Sequence, residues 1–313
     1  MLQKERIVII GAGPAGCAAA IQCRRLGIAP LLLDSTGEAG GLIENAFNME
    51  NYPGLEAPIT GPDFVGRLQA DLAGFDLEVT RGTVKRIEPT PEEIRVITAH
   101  STISTAAVIV AVGTVPRPLG IVGEGELAGG HLFYEVKNVL PLSPSAVIVA
   151  GGGEAAFDYA LSLARDDVNV HLSVKNARPS AGERLEQQVA DTPGIKVSTR
   201  SLVKSCIRQG SGVLATVEDK RGVHDLEADA LLVAVGRRSA AGELLGPREL
   251  SGRDRARARA RAREGESERG LTYKPGLFIA GDARLGTLGQ VGIAVGDGLL
   301  AAMKAVKIAE ARG

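Results

Sequence analysis

The sequence of 313 residues predicts an α/β fold built from two units, with the second unit inserted within the first. Two glycine-rich turns, at residues 11–16 and 151–156, each follow a short apolar run and open an alanine-rich helix. This order is typical of βαβ units that bind dinucleotides, and two copies are far more specific than one. The final stretch, residues 277–311, is too short to form a domain, so we expect it to return to the first unit. The sequence therefore predicts two Rossmann-like dinucleotide-binding domains.

Apolar runs and helical periodicity predict the elements of the first unit in chain order. Residues 7–10 predict a buried parallel strand, residues 15–26 its helix, and residues 30–33 a second strand that ends at Asp34. The remaining elements are a helix at 62–74 and short strands at 77–80, 83–88, 94–99 and 108–112.

The second unit is predicted between two crossing strands near residues 114–118 and 236–240. Its elements are strands at 147–150, 168–174, 196–199, 206–209, 213–218 and 231–235, and helices at 155–165 and 182–190. After it, a strand at 277–280 and a long helix at 290–311 complete the first unit. We therefore expect one domain to comprise residues 1–116 and 239–313 and the other to comprise residues 117–238.

Composition and charge argue against several classes of function. The formal net charge is −1, which gives no bulk attraction to nucleic acid or to an acidic membrane surface. No run reaches the roughly 18 apolar residues that a membrane span needs. The three cysteines, Cys17, Cys23 and Cys206, have no CxxC spacing, so neither a disulfide framework nor a zinc site is predicted. We expect a cytoplasmic protein that binds no metal, no nucleic acid and no membrane.

The first glycine-rich turn has the spacing needed to hold a pyrophosphate. Gly11 allows the tight turn, Gly13 lets the backbone approach the phosphates, and Gly16 lets helix and strand pack closely. The helix that begins near Pro14 then directs its N–H groups and positive dipole end toward the anion. Asp34 lies near the position expected for a carboxylate that binds ribose hydroxyls, which favours the plain adenosine of FAD or NAD. Asp34 also suits a helix-capping or turn position.

The second glycine-rich turn lacks such a carboxylate. Its candidate binding residues are Gly151, Gly153, Glu154 and Ala155. The strand that follows runs into Lys175 and Arg178, two cations that could hold a 2′-phosphate and so favour NADP over NAD. The same two side chains also fit a solvated loop. No GxSxG or HExxH motif is present, so we expect cofactor-borne chemistry without a catalytic side chain.

The motifs follow one another in an order that resembles a known family over nearly the whole chain. In sequence they are GAGPAG, Gly40-Gly41, Glu50-Asn51-Tyr52-Pro53-Gly54, Ala111-Val112-Gly113, GGGEAA, Gly281-Asp282 and a helix start at Gln290. This combination resembles the thioredoxin-reductase-like flavoproteins, in which a pyridine-nucleotide domain interrupts an FAD domain. The resemblance implies that residues 1–116 and 239–313 bind FAD, that residues 117–238 form an NAD(P)-binding-like domain, and that the protein is a homodimer.

The resemblance also implies roles for individual residues. The implied FAD-binding set is Gly11, Gly13, Pro14, Ala15, Gly16, Asp34, Gly41, Leu42, Asn51, Val84, Gly113, Gly281, Asp282, Gln290 and Val291. Within this set, Asn51 contacts the flavin side and Asp282 binds the ribityl chain. Gln290 and Val291 bring backbone N–H groups to the pyrimidine edge of the flavin, where the helix dipole stabilises negative charge.

Departures from the family pattern bear on function. Thioredoxin reductases of this type carry a CxxC shortly before the second glycine-rich turn, and Tyr134 and Lys137 stand at those positions here. The chain should therefore not reduce thioredoxin by an internal dithiol, and it looks closer to the ferredoxin or flavodoxin–NADP reductases of the same superfamily. Lys175 and its neighbours also replace the His-Arg-Arg run that is common for NADPH, and Leu42 stands where the family often has Gln.

Three hypotheses for the function are open at this point. In the first, an FAD-dependent oxidoreductase without a CxxC passes electrons between NAD(P)H, or another donor, and a small acceptor or a protein carrier such as ferredoxin or flavodoxin. In the second, the nicotinamide site has decayed, and a protein or a thiol is the electron donor. In the third, the chain is a non-enzymatic FAD-binding sensor. Lys175 and Arg178 favour the first hypothesis, and the missing His-Arg-Arg run and CxxC favour the second.

One segment differs from the rest of the chain. Residues 253–263 alternate arginine with alanine or aspartate and contain six arginines. Such spacing gives like-charge contacts in a helix and no core face in a strand. We expect a solvated loop or mobile insertion, and the alternative is a docking surface for an acidic electron carrier.

Overall fold

The computed structural model describes residues 2–56, 58–90, 92–245, 272–286 and 289–312, with side chains from Arg6 onward. The arginine-rich segment 253–263 lies outside these ranges, so neither interpretation of it is tested. Within the described ranges, no helix combines the length and the apolar character that crossing a bilayer requires.

Eighteen strands and eight α-helices are present in the described part of the chain. The strands are β1 (Leu2–Ile10), β2 (Leu31–Asp34), β3 (Val79–Arg81), β4 (Val84–Pro89), β5 (Ile94–Thr98), β6 (Thr102–Val110), β7 (Thr114–Pro116), β8 (Leu132–Phe133), β9 (Ala146–Ala150), β10 (Asn169–Val174), β11 (Ile195–Thr199), β12 (Leu202–Gln209), β13 (Gly212–Asp219), β14 (Gly222–Ala228), β15 (Ala230–Val233), β16 (Arg237–Ser239), β17 (Thr272–Lys274) and β18 (Leu277–Ile279). The helices are α1 (Pro14–Arg25), α2 (Gly61–Gly74), α3 (Glu124–Leu127), α4 (Glu154–Arg165), α5 (Glu183–Asp191), α6 (Ala241–Leu245), α7 (Asp282–Leu285) and α8 (Val291–Ala311). Short 3₁₀ turns occupy Gly41–Asn45, Val136–Asn138 and Leu140–Leu142.

An eight-stranded, mainly parallel sheet forms the first unit. Its path runs β17-β18-β6-β1-β2-β3, and the β4–β5 hairpin joins it through β6. Alternate residues of β1 enter different cores: Ile7 and Ile9 pack with α1, α2 and α8, whereas Val8 and Ile10 pack with the hairpin and α6. Both faces of this sheet are therefore covered, which explains the continuous apolar run in β1.

A five-stranded parallel sheet in the order β11-β10-β9-β15-β8 forms the second unit. Residues of α4 and α5 cover one of its faces. The three-stranded antiparallel sheet β12-β13-β14 covers the other face. The two units thus repeat the same design, with strands that end in a glycine-rich turn and lead into a packed helix.

The chain leaves the first unit and returns to it through neighbouring strands. β7 and β16 pair antiparallel, with Thr114 opposite Ser239 and Pro116 opposite Arg237. After the second unit, β18 pairs parallel with β6 of the first sheet. The predicted fold class, two Rossmann-like units with the second inserted in the first, is confirmed.

The structure differs from the predicted elements where pairing rather than apolar pattern fixes the strand. β1 begins at Leu2 instead of residue 7, because it pairs with β6 from Leu2 opposite Thr102 onward. β6 itself covers Thr102–Val110 instead of 108–112. β14 was not predicted, since it is an outer strand of a three-stranded sheet and none of its residues is fully buried.

A close approach of α1 and α8 sets the position of the functional cavity. A Cβ at Gly298 of α8 would overlap the carbonyl oxygen of Ala15 in the first turn of α1, so only glycine permits this contact. The contact brings the N-terminal turns of both helices to one place, where Pro14, Ala15 and Val291 line the same cavity.

Candidate functional site

A cavity of about 980 Å³ lies where the two units meet. Thirteen residues of the predicted FAD-binding set line it: Gly11, Gly13, Pro14, Ala15, Asp34, Gly41, Leu42, Asn51, Val84, Gly113, Asp282, Gln290 and Val291. The other two members lie directly behind the lining, Gly16 against Gly11 and Gly281 against Ala15. The volume is at the upper end of the usual range for cofactor and ligand sites.

The first glycine-rich turn leaves open space where a pyrophosphate could lie. Gly11 has a φ of +99°, and a Cβ there would overlap the carbonyl oxygen of Ala111. A Cβ at Gly16 would overlap the carbonyl oxygen of Gly11. At Gly13, by contrast, the nearest atom to a Cβ would be the oxygen of Gly40 at 3.9 Å. Gly11 and Gly16 therefore serve the fold, whereas Gly13 keeps the cavity side of the turn clear.

Asp34 links the glycine-rich turn to the rim of the cavity. Its Oδ2 accepts a hydrogen bond from the Ala12 N–H at 3.0 Å, and its Oδ1 accepts from the N–H and Oγ1 of Thr36 at 2.9 and 2.7 Å. The carboxylate is thus held at the end of β2, beside the first turn of α1. Both the ribose-binding and the turn interpretations predicted from the sequence are compatible with this position.

The N-terminus of α8 reaches the cavity from the opposite end of the chain. Its N-cap residue Gln290 makes no side-chain capping bond, and its Oε1 instead accepts from Nδ2 of Asn51 at 2.7 Å. This bond ties α8 to the loop that contains Asn51, so that both residues line the cavity. Because they are in direct contact, the two side chains form one continuous part of the cavity wall.

A buried ion pair that the sequence analysis missed holds the turn at Asp282. Asp297 on α8 accepts from Arg284 through both carboxylate oxygens, at 2.7 and 2.9 Å, and from the Gly281 N–H at 3.1 Å. The carboxylate of Asp282 packs over Gly289, where a Cβ would overlap it. Burial raises the pKa of Asp282, although the nearby Arg237 opposes the shift.

The second glycine-rich turn contributes less to the cavity than the first. Glu154 and Ala155 line it, whereas Gly151, Gly153, Lys175 and Arg178 are not among its lining residues. Lys175 and Arg178 are exposed in the loop after β10. Within this loop, the Ser180 N–H donates to the Gly152 carbonyl at 2.7 Å, which folds the loop onto the turn. The two cations therefore lie near the turn but outside the cavity.

The wall contributed by the second unit is rich in paired charges. Arg237 donates to Oγ1 and to the carbonyl of Thr114 at 2.9 Å each, and lies 3.4 Å from Oε1 of Glu135. Lys137 pairs with Glu44 and lines the cavity, whereas Tyr134 points away and donates to Glu124 at 2.7 Å. Of Tyr134 and Lys137, which the resemblance sets at the CxxC positions, only Lys137 lines the cavity.

Asp158 on α4 connects the two units and is the most perturbed carboxyl at the cavity. Its Oδ2 accepts from the Phe47 N–H of the first unit at 2.9 Å. Burial raises the pKa of Asp158 to about 6; the Phe47 N–H and Arg165 oppose the shift, and Glu154 adds to it. The carboxylate is therefore charged at neutral pH at a cost to stability.

The raised pKa of Asp158 predicts how the free energy of unfolding depends on pH. Between about pH 4 and 6 the folded state holds a proton on Asp158 that the unfolded state has lost, so the free energy of unfolding falls as pH rises through this window. Asp158→Asn keeps an oxygen acceptor for Phe47 without the buried charge. We expect it to be more stable than wild type by about 2–3 kcal/mol at pH 8, which is the cost of that rise in pKa, and to lose most of this advantage near pH 4.5. Urea unfolding at both pH values tests this, and a difference that is constant with pH would contradict it.

The three thiols are poorly suited to redox chemistry. Cys17 and Cys23 are buried on α1, and burial raises the pKa of each to about 12. Burial likewise raises the pKa of Cys206. Because the thiolate is the reactive form, a raised pKa disfavours reaction of these thiols at neutral pH, and none of them lines the cavity. Among the described residues, no group of three or more His, Cys, Asp or Glu side chains could hold a metal ion.

The chain is similar to known proteins over nearly its whole length. The model of a family described as pyridine nucleotide-disulphide oxidoreductase matches residues 5–298. The thioredoxin reductase of Listeria monocytogenes is 29% identical over 320 residues, which cover 99% of this chain and 96% of the relative. The thioredoxin reductase of Bacillus subtilis is 28% identical over 303 residues, which cover 95% and 92%.

Solved structures of similar proteins have the same fold. The thioredoxin reductase of Lactococcus lactis, in its FR conformation, is 27% identical with a TM-score of 0.81 and covers 98% of this chain and 99% of its own. That of T. acidophilum is 25% identical with a TM-score of 0.82 and covers 97% and 98%.

Proposed function

The chain belongs to the pyridine nucleotide-disulphide oxidoreductase family, and we propose that it is a thioredoxin-reductase-like, FAD-dependent oxidoreductase that transfers electrons without an internal dithiol. The observation that carries the proposal is the cavity, which collects thirteen of the fifteen residues expected to hold FAD. We assign residues 1–116 and 239–313 to FAD binding and residues 117–238 to the nicotinamide side.

The residues at the cavity fit FAD. The open face of Gly13 and the first turn of α1 would hold the pyrophosphate, and Asp34 would hold the adenosine ribose. Asp282 would bind the ribityl chain, and the N–H groups at the start of α8 would face the flavin. FAD would supply the chemistry of accepting two electrons from a donor and passing them to an acceptor. The chain's own part is to bind, orient and shield it.

The absence of a usable thiol supports electron transfer without a dithiol. The cysteines of this sequence are Cys17, Cys23 and Cys206, each is buried, and the two on α1 have strongly raised pKa values. Lys137 stands at the cavity where a cysteine would be needed. A partner disulfide or another acceptor would therefore have to approach the flavin itself.

Replacing all three cysteines tests this point. We expect the combined variant Cys17→Ala, Cys23→Ala and Cys206→Ala to keep its FAD and its turnover with an artificial acceptor within about twofold of wild type. Its stability should fall by a few kcal/mol, because three buried side chains are shortened. A variant that folds with FAD but loses turnover would show that a thiol takes part.

The electron donor we propose is NADPH. Lys175 and Arg178 are exposed after β10, and residues 175–182 contain no carboxylate that would repel a 2′-phosphate. Lys175→Gln combined with Arg178→Gln should reduce the preference for NADPH over NADH by 10-fold or more, since a charge-assisted hydrogen bond contributes about 1.5–3 kcal/mol. Anaerobic titration of the flavin with each nucleotide measures this. A clear NADH preference in wild type would contradict the proposal.

A decayed nicotinamide site is the second candidate. It is favoured by the position of Lys175 and Arg178 outside the cavity and by the absence of the His-Arg-Arg run from the sequence. In that case the same titration would leave the flavin oxidised with both nucleotides, whereas dithionite would reduce it. Membership of an oxidoreductase family leaves the non-enzymatic sensor without support.

The acceptor we propose is a protein carrier or a small molecule. The names of the relatives suggest thioredoxin, which would have to react without an internal dithiol here. No observation on the described residues favours ferredoxin or flavodoxin, and the arginine-rich segment considered for docking them lies outside those residues. We expect a homodimer, which light scattering of the purified protein would test.

A further inference from the structure

One short segment of the first unit makes repeated contacts with the second unit. Within residues 44–50, four side chains or backbone groups reach across: those of Glu44, Asn45, Phe47 and Glu50. Their partners lie on the 3₁₀ turn before β9, on α4 and on α5. These contacts lie apart from the paired crossing strands β7 and β16, where Arg237 bonds to Thr114, and so form a second connection between the units.

Phe47 is the apolar centre of these contacts. Its ring packs against the core of the second unit, and the guanidinium carbon of Arg165 lies 5.2 Å from the ring centroid. Its N–H donates to Asp158 at 2.9 Å. A partly buried side chain of the first unit thus packs against the core of the second, with its backbone held by a carboxylate and its ring beneath a cation.

Lys137 holds the N-terminal end of the segment. Its Nζ pairs with Glu44 and lies 3.9 Å from Oε2 of Glu135, and its backbone N–H donates to Oδ1 of Asn45 at 3.2 Å. The Lys137 and Glu44 side chains are each about one-third exposed or less, so this pair is better shielded than a surface pair. The pair of Arg184 and Glu50 at 2.9 Å is more exposed and adds less.

The residues that hold the units together are also residues of the cavity wall. Lys137, Asp158 and Arg184 line the cavity from the second unit, and residues 46–51 line it from the first. We propose that residues 44–50 form an interdomain clasp, in which Phe47, Lys137 and Asp158 are positioning residues that hold the second unit as a wall of the flavin cavity. The inference rests on the proposed function only in that the cavity holds FAD.

The first test is the accessibility of the bound flavin. In Phe47→Ala the second unit should be held less firmly against the cavity, so that acrylamide reaches the flavin more easily. Quenching of flavin fluorescence by acrylamide should therefore increase at least threefold over wild type. Lys137→Gln should give a smaller increase of about twofold. Phe47→Leu and Lys137→Arg should restore values close to wild type, because they keep an apolar side chain and a cation. Quenching unchanged in both Phe47→Ala and Lys137→Gln would overturn the proposal.

The matched control is Lys204→Gln. Lys204 pairs with Glu218 at 3.0 Å within the second unit, and neither residue lines the cavity. This variant loses a lysine ion pair without touching the clasp, so its quenching should equal that of wild type. An increase as large as that of Lys137→Gln would mean that loss of any such pair loosens the protein, and it would count against the clasp.

A second measurement is independent of the flavin. Hydrogen exchange in Lys137→Gln should become at least fivefold faster at residues 44–50 and at 135–139, while β9 and β10 keep the wild-type rate. If the purified protein carried no FAD, the proposed function would fail, and hydrogen exchange on that same protein would still decide whether the clasp exists. Uniform exchange rates in wild type and variant would refute it.

Discussion

Replacing Gly13 by aspartate should give a folded protein without flavin. A Cβ at this position would meet no atom closer than 3.9 Å, so the protein itself can accommodate a side chain there. The side chain would project toward the cavity, where the pyrophosphate is proposed to lie. At 4 Å, two negative charges near a protein surface repel by about 4 kcal/mol, which is close to a 1,000-fold loss of affinity.

The ratio of flavin to protein absorbance after purification measures this effect, and circular dichroism checks that the variant is folded. Gly66→Asp is the matched control, because Gly66 lies on the exposed side of α2 with no atom within 4 Å of its Cβ position. It should retain full flavin. Gly13→Asp with wild-type flavin content would show that the pyrophosphate does not lie on this turn.

Replacing Asp297 by alanine should lower the free energy of unfolding more than any other single substitution proposed for this protein. Asp297 is 8% exposed and pairs with Arg284, whose side chain is 17% exposed. Removing one partner of a buried ion pair costs about 3–5 kcal/mol, because the other charge is left without compensation. The Gly281 N–H also loses its acceptor, so the turn that carries Asp282 is released and flavin affinity should fall as well.

Urea unfolding, together with retention of flavin on gel filtration, measures both effects. Asp76→Asn is the control, since Asp76 forms a 3.8 Å pair with Arg24, its side chain is 89% exposed, and asparagine tolerates the φ of +52° at this position. This exposed pair should contribute less than about 1 kcal/mol. Equal losses in the two variants would contradict the structural role given to Asp297.

Local sequence patterns were sufficient to predict the order of the main elements. The apolar run before Gly11 and the alanine-rich helix after it predict β1 and α1, because a parallel strand covered on both faces must be apolar throughout. The same pattern before Gly151 predicts β9 and α4. The patterns did not predict the exposed strand β14 or the first five residues of β1. Both segments form strands because they pair with a neighbouring strand, β14 with β13 and the start of β1 with β6.

The candidate site also combines features that follow from local sequence with features that depend on tertiary packing. By itself, the sequence determined the fold class and the local backbone geometry of the first glycine-rich turn, since Gly11, Gly13 and Gly16 act through the backbone of one short segment. Only the tertiary structure decided which distant groups complete the site. Asn51 and Gln290 are separated by 239 positions yet share a hydrogen bond. The pairing of Arg284 with Asp297, and the packing of Phe47 against the second unit, likewise depend on how sheets and helices pack, because a side chain's partners are fixed by distance in space and not along the chain.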